Sequence, residues 1–220
     1  MEKMNTRSIK KKNLDQRVYD RIIEKIINVE FLPGQQLDIN DLAEEFGVSR
    51  TPVVQAIKML NLDSILEVSR TGKVSIPDFT IKQIRDIYDV RLMMEKYAVG
   101  QLCTLNDRKS SLERLKTINS VCRKKLEAGE IVEYRKNDLA LHNLLISLTN
   151  NQCLINSFMK VQNQFMLTNY LQGRHGMPHQ TQSIYEHEEL LNDIEAGDRE
   201  RAERAIECHI NRAFLRVIGE

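Results

Sequence analysis

The sequence predicts a mainly α-helical protein of 220 residues. Aromatic residues make up only 5% of the chain, and glycine and proline are scarce at nine and four residues, which disfavours β-sandwiches and barrels. The chain is instead rich in the helix-favouring residues Leu, Ile, Glu, Lys and Arg. Apolar residues also recur at three-to-four spacing through most of the chain, the period of a helix with one buried face.

The N-terminal part of the chain predicts three short helices behind a basic segment. Residues 1–12 carry five basic residues against one acidic residue, which indicates a flexible basic arm or simply a solvated terminus. A first helix is expected to begin at Leu14 and to end before Phe31, because Pro33-Gly34 force a turn. A second should be capped by Asp38 or Asn40 and should stop at Gly47. Ser49 is expected to cap a third helix, because a proline follows in the first turn, where no amide hydrogen is needed.

A β-hairpin is expected next, formed by residues 65–68 and 73–76 with residues 70–72 at its tip. Three short helices followed by a hairpin are the elements of a winged helix-turn-helix, which we place at residues 13–78. Residues 79–220 predict an antiparallel bundle of about six helices, because their connections are short. The helices of this bundle are expected at residues 80–103, 107–128, 130–149, 151–172, 180–196 and 198–218.

The third helix is the candidate DNA reader. In a helix-turn-helix, the second helix of the pair lies in the major groove and its N-terminal residues face the base edges. This helix has exposed polar residues and no acidic residue between Phe46 and Asn61. The hairpin adds basic residues suited to the adjacent phosphates or minor groove. The residues predicted to contact DNA are Ser49, Arg50, Thr51, Gln55, Lys58, Arg70, Gly72 and Lys73.

Charge distribution decides whether DNA is a plausible partner. The net charge is only +1, and residues 1–78 hold 12 basic and 12 acidic residues. We expect the acidic residues in the first two helices and the turns, and only basic residues on the reading helix and hairpin. One positive face is enough to bind a polyanion, with modest non-specific affinity. The alternative is an ordinary solvated face on a small helical domain.

Local motifs in this region resemble a known family. The segment Gly47-Val48-Ser49-Arg50-Thr51-Pro52-Val53, with Pro33-Gly34, Leu42-Ala43, Ala56-Ile57 and Gly72, resembles the GntR family of bacterial transcription regulators. The resemblance implies a repressor or activator that binds a palindromic DNA operator as a homodimer.

The chain departs from the family at one position of the reading helix. Family members usually carry Arg-Glu directly after the Thr-Pro-Val segment, where this chain has Val54-Gln55. That arginine normally reaches a guanine, so the resemblance implies an operator that differs from the common consensus. Its remaining readers would be Arg50, Thr51, Gln55 and Lys58.

Polar residues on apolar helix faces of the bundle form a candidate metal site. Asp138 and His142, four residues apart, share one face of the third bundle helix. His187 and His209 lie on apolar faces of the last two helices. An unpaired buried imidazole costs a few kcal/mol, so a shared Zn²⁺, Ni²⁺, Mn²⁺ or Fe²⁺ would satisfy all four residues. Separately hydrogen-bonded core histidines are the alternative.

The same residues resemble the FCD effector domain that defines the FadR-like branch of GntR regulators. Asp138-x3-His142, the segments around His187 and His209, and residues 89–98 carry this resemblance. It implies that the aspartate and the three histidines bind a divalent metal ion. It also implies a domain that binds an effector, often a small organic acid, and that forms the dimer.

A five- or six-coordinate metal held by four protein ligands has one or two positions left for a small carboxylate or hydroxy acid. Arg91 is the candidate second anchor for that effector, because a guanidinium binds a carboxylate bidentately. A salt bridge with Glu95, four residues along the helix, is the alternative. We therefore expect a regulator whose DNA affinity responds to a carboxylate effector.

Two other functions remain open at this point. In one, the metal itself is the signal; in the other, the metal activates water for hydrolysis. We do not expect an enzyme, because the pattern shows no interior acidic residue beside the ligands to act as a general base.

The remaining sequence features concern location and redox state. The chain shows no apolar run near the ~18–20 residues that span a bilayer, and its N-terminus lacks the apolar segment of a signal peptide. A cytoplasmic protein with no membrane partner is therefore expected. Four cysteines without a C-x-x-C pair indicate reduced thiols.

Overall fold

The computed structural model describes residues 14–105, 108–172 and 178–219. The predicted basic arm at residues 1–12 lies outside these ranges. Within them, the chain is mainly helical, with an N-terminal winged helix-turn-helix head and a C-terminal helical bundle. The elements of the head are α1 (Leu14–Ile27), β1 (Gln36–Leu37), α2 (Ile39–Phe46), α3 (Arg50–Leu62), β2 (Glu67–Val68) and β3 (Val74–Ser75). The bundle contains α4 (Ile81–Thr104), α5 (Lys109–Glu127), α6 (Ile131–Ser147), α7 (Gln152–Gln172), α8 (Pro178–Ala196) and α9 (Arg199–Ile218).

Local signals in the sequence explain the ends of α2 and the start of α3. The carboxylate of Asp38 accepts hydrogen bonds from the backbone N–H groups of Asn40 and Asp41, so Asp38 is the cap of α2. Gly47 then adopts a left-handed conformation with φ 65° and ends the helix. Ser49 occupies the N-cap position of α3, but its side chain makes no capping hydrogen bond. The prediction was right about position and wrong about the bond.

The wing is a three-stranded antiparallel sheet in the order β1-β3-β2, rather than the two-stranded hairpin that the sequence predicts. Val74 of the central strand β3 pairs with Leu37 of β1 on one side and with Val68 of β2 on the other. Gly72 closes the hairpin tip at φ 82°, a conformation that favours glycine. In the sequence, α2 and α3 separate β1 from the hairpin, so no local pattern indicates that β1 pairs with β3.

The bundle follows the predicted six-helix order. Thr80 and Gln83 form a reciprocal capping box at the start of α4, which is central to the bundle and packs extensively against α9. Buried apolar residues from α4 to α9 form one continuous core. In the described ranges, the helices lack the combined length and hydropathy needed to cross a membrane.

Helix α7 contacts both units. Its Leu167 is fully buried and belongs to the apolar core of the head. The side-chain amide of Asn163 donates a hydrogen bond of 3.0 Å to the carbonyl of Asp63, the residue that ends α3. Met166 packs with Ile27 of α1. The head and the bundle are therefore joined by side chains of one helix, in addition to the peptide linker.

Candidate metal centre and DNA-reading face

Three predicted metal ligands meet in the interior of the bundle. His142 on α6, His187 on α8 and His209 on α9 are buried, with 0%, 1% and 4% of their surface exposed. One nitrogen of each ring lies within 4.8 Å of the others. The Nε2 atoms of His187 and His209 are 3.4 Å apart. The helical period that put each histidine on an apolar face thus brings them to one point.

Each imidazole is held at its Nδ1 atom by a residue from another helix. The Nδ1 of His142 lies 2.6 Å from Oε2 of Glu95, and the Nδ1 of His209 lies 2.8 Å from Oε2 of Glu186. The Nδ1 of His187 lies 3.3 Å from the side-chain oxygen of Asn119. Carboxylates that accept from the outer nitrogen of a metal-binding histidine orient the ring and raise its basicity. This arrangement directs the three Nε2 atoms towards one another.

The fourth predicted ligand, Asp138, lies at the edge of the histidine cluster. Its Oδ1 is 3.9 Å from Nε2 of His187. This oxygen and Nε2 of His142 are both buried, and neither has a hydrogen-bond partner among the described residues. Neutral imidazole nitrogens together with one carboxylate oxygen are ligands that suit a divalent cation. The residues present therefore fit a metal ion.

Burial keeps His187 and His209 in the neutral form that binds metal. Burial, followed by the charge of His209, holds the pKa of His187 well below its usual value. Burial also lowers the pKa of His209, although the neighbouring Glu186 opposes this effect. Neutral imidazoles are the ligating form, so these two rings need no deprotonation at neutral pH before a metal binds.

Arg91, the predicted effector anchor, is fully buried in α4. Its Nε donates a hydrogen bond of 2.5 Å to Oε1 of Glu95, which is also fully buried. Burial alone would raise the pKa of Glu95, but Arg91 and His142 outweigh it and lower the pKa to about 2. The salt bridge that the sequence offered as the alternative is thus present. However, Nη1 and Nη2 of Arg91 have no hydrogen-bond partner among the described residues.

A cavity of about 100 Å³ opens beside the cluster. Asp138 and His209 form part of its wall, so it reaches two of the candidate ligands. Two cationic side chains, Arg135 and Arg216, line it as well. Phe165 also lines the cavity, and the central carbon of the Arg91 guanidinium lies 3.5 Å from the centre of its ring. The surroundings are therefore suited to a small anion.

Sequence reasoning missed Glu186, and it considered Glu95 only as a salt-bridge partner of Arg91, not as a contact of His142. The expectation that the pattern shows no interior acidic residue beside the ligands is wrong, because both carboxylates are buried and contact imidazoles. Glu95 carried a readable signal: it lies on the buried stripe of α4 with Tyr88 and Leu102. A charged residue on an apolar stripe needs a partner.

The predicted DNA-reading residues all lie on the surface of the head. Val53, Ala56 and Ile57 anchor α3 in the head core, which turns the opposite, polar face of the helix outwards. Within the wing, Ser69 and Thr71 join their side chains by a hydrogen bond of 2.9 Å at the tip. The exposed set contains Ser49, Arg50, Thr51, Gln55, Lys58, Arg70, Gly72 and Lys73.

One charge prediction for this face is wrong. Glu67 lies on β2 and is exposed, so the wing does not carry basic residues alone. The reading helix α3 does keep its acid-free surface.

A winged helix-turn-helix head joined to a helical bundle with a histidine cluster defines a class of DNA-binding transcription regulators. Residues 14–74 match the family of bacterial regulatory proteins named gntR, and residues 86–212 match the FCD domain. The chain belongs to the GntR family and carries an FCD domain. Like its relatives, it is a transcription regulator and not an enzyme.

Individual relatives agree with this assignment. The uncharacterised HTH-type transcriptional regulator YdhC of Bacillus subtilis is 25% identical over 194 residues, which cover 88% of this chain and 86% of the relative. The gluconate operon transcriptional repressor of Bacillus subtilis is 29% identical over 154 residues, 69% of this chain and 63% of that protein. The solved structure of E. coli McbR/YncC has the same fold, with a TM-score of 0.79 and 19% identity over 94% of this chain and 98% of that chain.

Proposed function

We propose that this regulator binds a divalent metal ion through Asp138, His142, His187 and His209, and that a small carboxylate beside the metal changes its affinity for DNA. The observation that supports this most strongly is the convergence of three buried imidazoles, one nitrogen of each within 4.8 Å of the others. Zn²⁺, Ni²⁺, Mn²⁺ and Fe²⁺ all suit this ligand set. Three neutral imidazoles and one carboxylate leave a bound divalent ion with a net positive charge, which attracts an anion into the cavity beside it.

Cationic side chains around the site support an anionic effector. Arg135 and Arg216 line the cavity next to Asp138 and His209. Arg91 does not line this cavity, so it could anchor the effector only if a carboxylate reached its two buried guanidinium nitrogens, which lack hydrogen-bond partners among the described residues. A planar guanidinium with two parallel N–H groups binds a carboxylate in a bidentate manner. The gluconate operon repressor among the relatives is also consistent with a carboxylate effector.

Helix α7 offers the physical route from the cavity to the DNA-reading head. Phe165 and Met166 face the cavity, and the next residue, Leu167, is buried in the core of the head. Asn163 on the same helix contacts the end of α3. A ligand that favours one position of α7 therefore favours one placement of the reading helix. The change in DNA affinity cannot exceed the difference in ligand affinity between the two placements.

On the DNA side, we propose a homodimer that acts as a repressor on a palindromic operator. Two-fold symmetry of the protein requires matching half-sites about one helical turn apart. The exposed Gln55 follows Val54, where family members carry Arg-Glu, so the operator should differ from the common family consensus.

The DNA part is tested by selecting binding sites from random duplex DNA with the full-length protein. We expect an inverted repeat that differs from the family consensus. Arg50→Ala should weaken binding by about 1–3 kcal/mol and relax specificity at one position, if it contacts a base. Lys82→Ala is the matched control, because Lys82 lies on the bundle, paired with Asp86. Recovery of the unchanged consensus, or equal losses in both variants, would contradict the assignment.

The effector part is tested by a thermal-shift screen of small organic acids, with and without a divalent metal. A stabilising acid should then change operator affinity only in metal-loaded protein. If metal alone switched operator binding and no acid altered it, the metal itself would be the signal. If neither changed operator affinity, the proposed regulation would be wrong.

A further inference from the structure

The two glutamates that hold histidines have unlike surroundings. Glu95 is fully buried, and its other partner, Arg91, is fully buried as well. Arg91 does not line the cavity wall beside the histidine cluster. The carboxylate that orients His142 is therefore sealed inside the core.

Glu186 connects His209 to the cavity. Its Oε2 is 2.8 Å from the Nδ1 of His209 and 3.8 Å from the Nη2 of Arg216. Its Oε1 accepts a hydrogen bond of 2.9 Å from Arg212, whose side chain is 54% exposed. Arg216 lines the cavity and also donates a hydrogen bond to Ser183. One carboxylate oxygen thus lies between a metal-ligand candidate and a cation of the cavity wall.

Electrostatics predicts how an anion in the cavity would change the hydrogen bond between Glu186 and His209. The positive charge of Arg216 draws electron density from Oε2 of Glu186, which weakens that oxygen as the acceptor for His209. An anion paired with Arg216 from the cavity offsets this charge. The hydrogen bond to His209 then strengthens, and a stronger outer hydrogen bond makes the imidazole a better metal ligand. Because binding linkage is reciprocal, a bound metal would raise the affinity for the anion by the same factor.

We propose that Glu186 is a positioning residue that couples anion binding in the cavity to metal affinity through His209, whereas Glu95 positions His142 independently of the cavity. The proposal rests on the proposed metal site and adds a mechanism for metal and effector to act together. It also gives the two glutamates different roles, which makes them matched controls for one another.

The test uses the full-length, metal-stripped protein and Co²⁺ as the probe, followed by its visible absorption. Glu186→Gln and Glu95→Gln should each weaken Co²⁺ binding by about 10–100-fold and change the absorption bands, since each disturbs one imidazole. Replacing chloride by acetate at constant ionic strength should tighten Co²⁺ binding about 5-fold or more in the unaltered protein. The same factor is expected in Glu95→Gln, and a factor near one in Glu186→Gln.

Arg216→Gln provides a second variant that leaves both glutamates in place. By the same argument it should tighten Co²⁺ binding about as much as acetate does in the unaltered protein, and it should lose the acetate effect. Equal acetate effects in both glutamine variants would overturn the proposal, because they would indicate direct coordination of acetate by the metal. Absence of an acetate effect in the unaltered protein would also overturn it. A failure of the unaltered protein to bind Co²⁺ would instead refute the proposed metal site itself.

Discussion

The ion pair between Arg91 and Glu95 makes a sharp prediction about stability, because both side chains are fully buried. In Glu95→Leu, the charge of Arg91 stays in the core without its partner. Removal of one member of a buried pair costs about 3–5 kcal/mol. In the double variant Arg91→Met with Glu95→Leu, both charges are replaced by apolar groups of similar volume. This double replacement should cost less than either single change.

The comparison is made on metal-stripped protein in the presence of a chelator, so that metal binding does not contribute to the free energy of unfolding. Urea unfolding followed by far-UV circular dichroism gives the four free energies of a double-mutant cycle. We expect a coupling energy of about 2 kcal/mol or more between the two positions. His142 loses its Nδ1 partner in both variants with Leu at position 95, so that effect cancels between them. Additive losses would refute the view that the pair is a single buried unit.

Two further predictions concern the packing of α7 and the cysteines. Leu167→Ala should reduce amide hydrogen-exchange protection in α1 and α3 by about 2–5 kcal/mol, because Leu167 fills the head core. The control Leu62→Ala changes a residue that is 73% exposed, so it should alter this protection by less than about 0.5 kcal/mol. Equal effects of the two substitutions would contradict the docking of α7 on the head. A thiol reagent at pH 8 should modify the exposed Cys153 and Cys208 quickly and leave Cys122 unreacted until unfolding, because burial raises the pKa of the Cys122 thiol to about 12. Fast modification of Cys122 in folded protein would contradict its burial.

Much of the fold was predictable because it depends on local signals. The apolar period located each helix of the bundle, and capping residues such as Asp38 and Gly47 set boundaries in the head. The same period placed His142, His187 and His209 on interior faces, so the cluster followed from the sequence.

The contacts that the sequence did not reveal are non-local. The pairing of β1 with β3 joins strands that are separated by two helices. Glu186 of α8 contacts His209 of the neighbouring helix α9. Helix α8 also carries acidic residues that are exposed, so only the packing of α8 against α9 distinguishes Glu186 from them. The insertion of Leu167 into the head core is likewise a result of tertiary packing. The apolar pattern of α7 shows that Leu167 is buried, but it does not show whether the side chain enters the head core or the bundle core.

The central claim is that the aspartate and the three histidines form a metal site in a DNA-binding regulator. Elemental analysis of the purified protein tests this most directly, with the double variant His142→Ala and His209→Ala measured in parallel. We expect about one divalent metal ion per chain in the unaltered protein, and none in the double variant, with the helical circular dichroism of the two alike. Equal metal content in both proteins would contradict the claim.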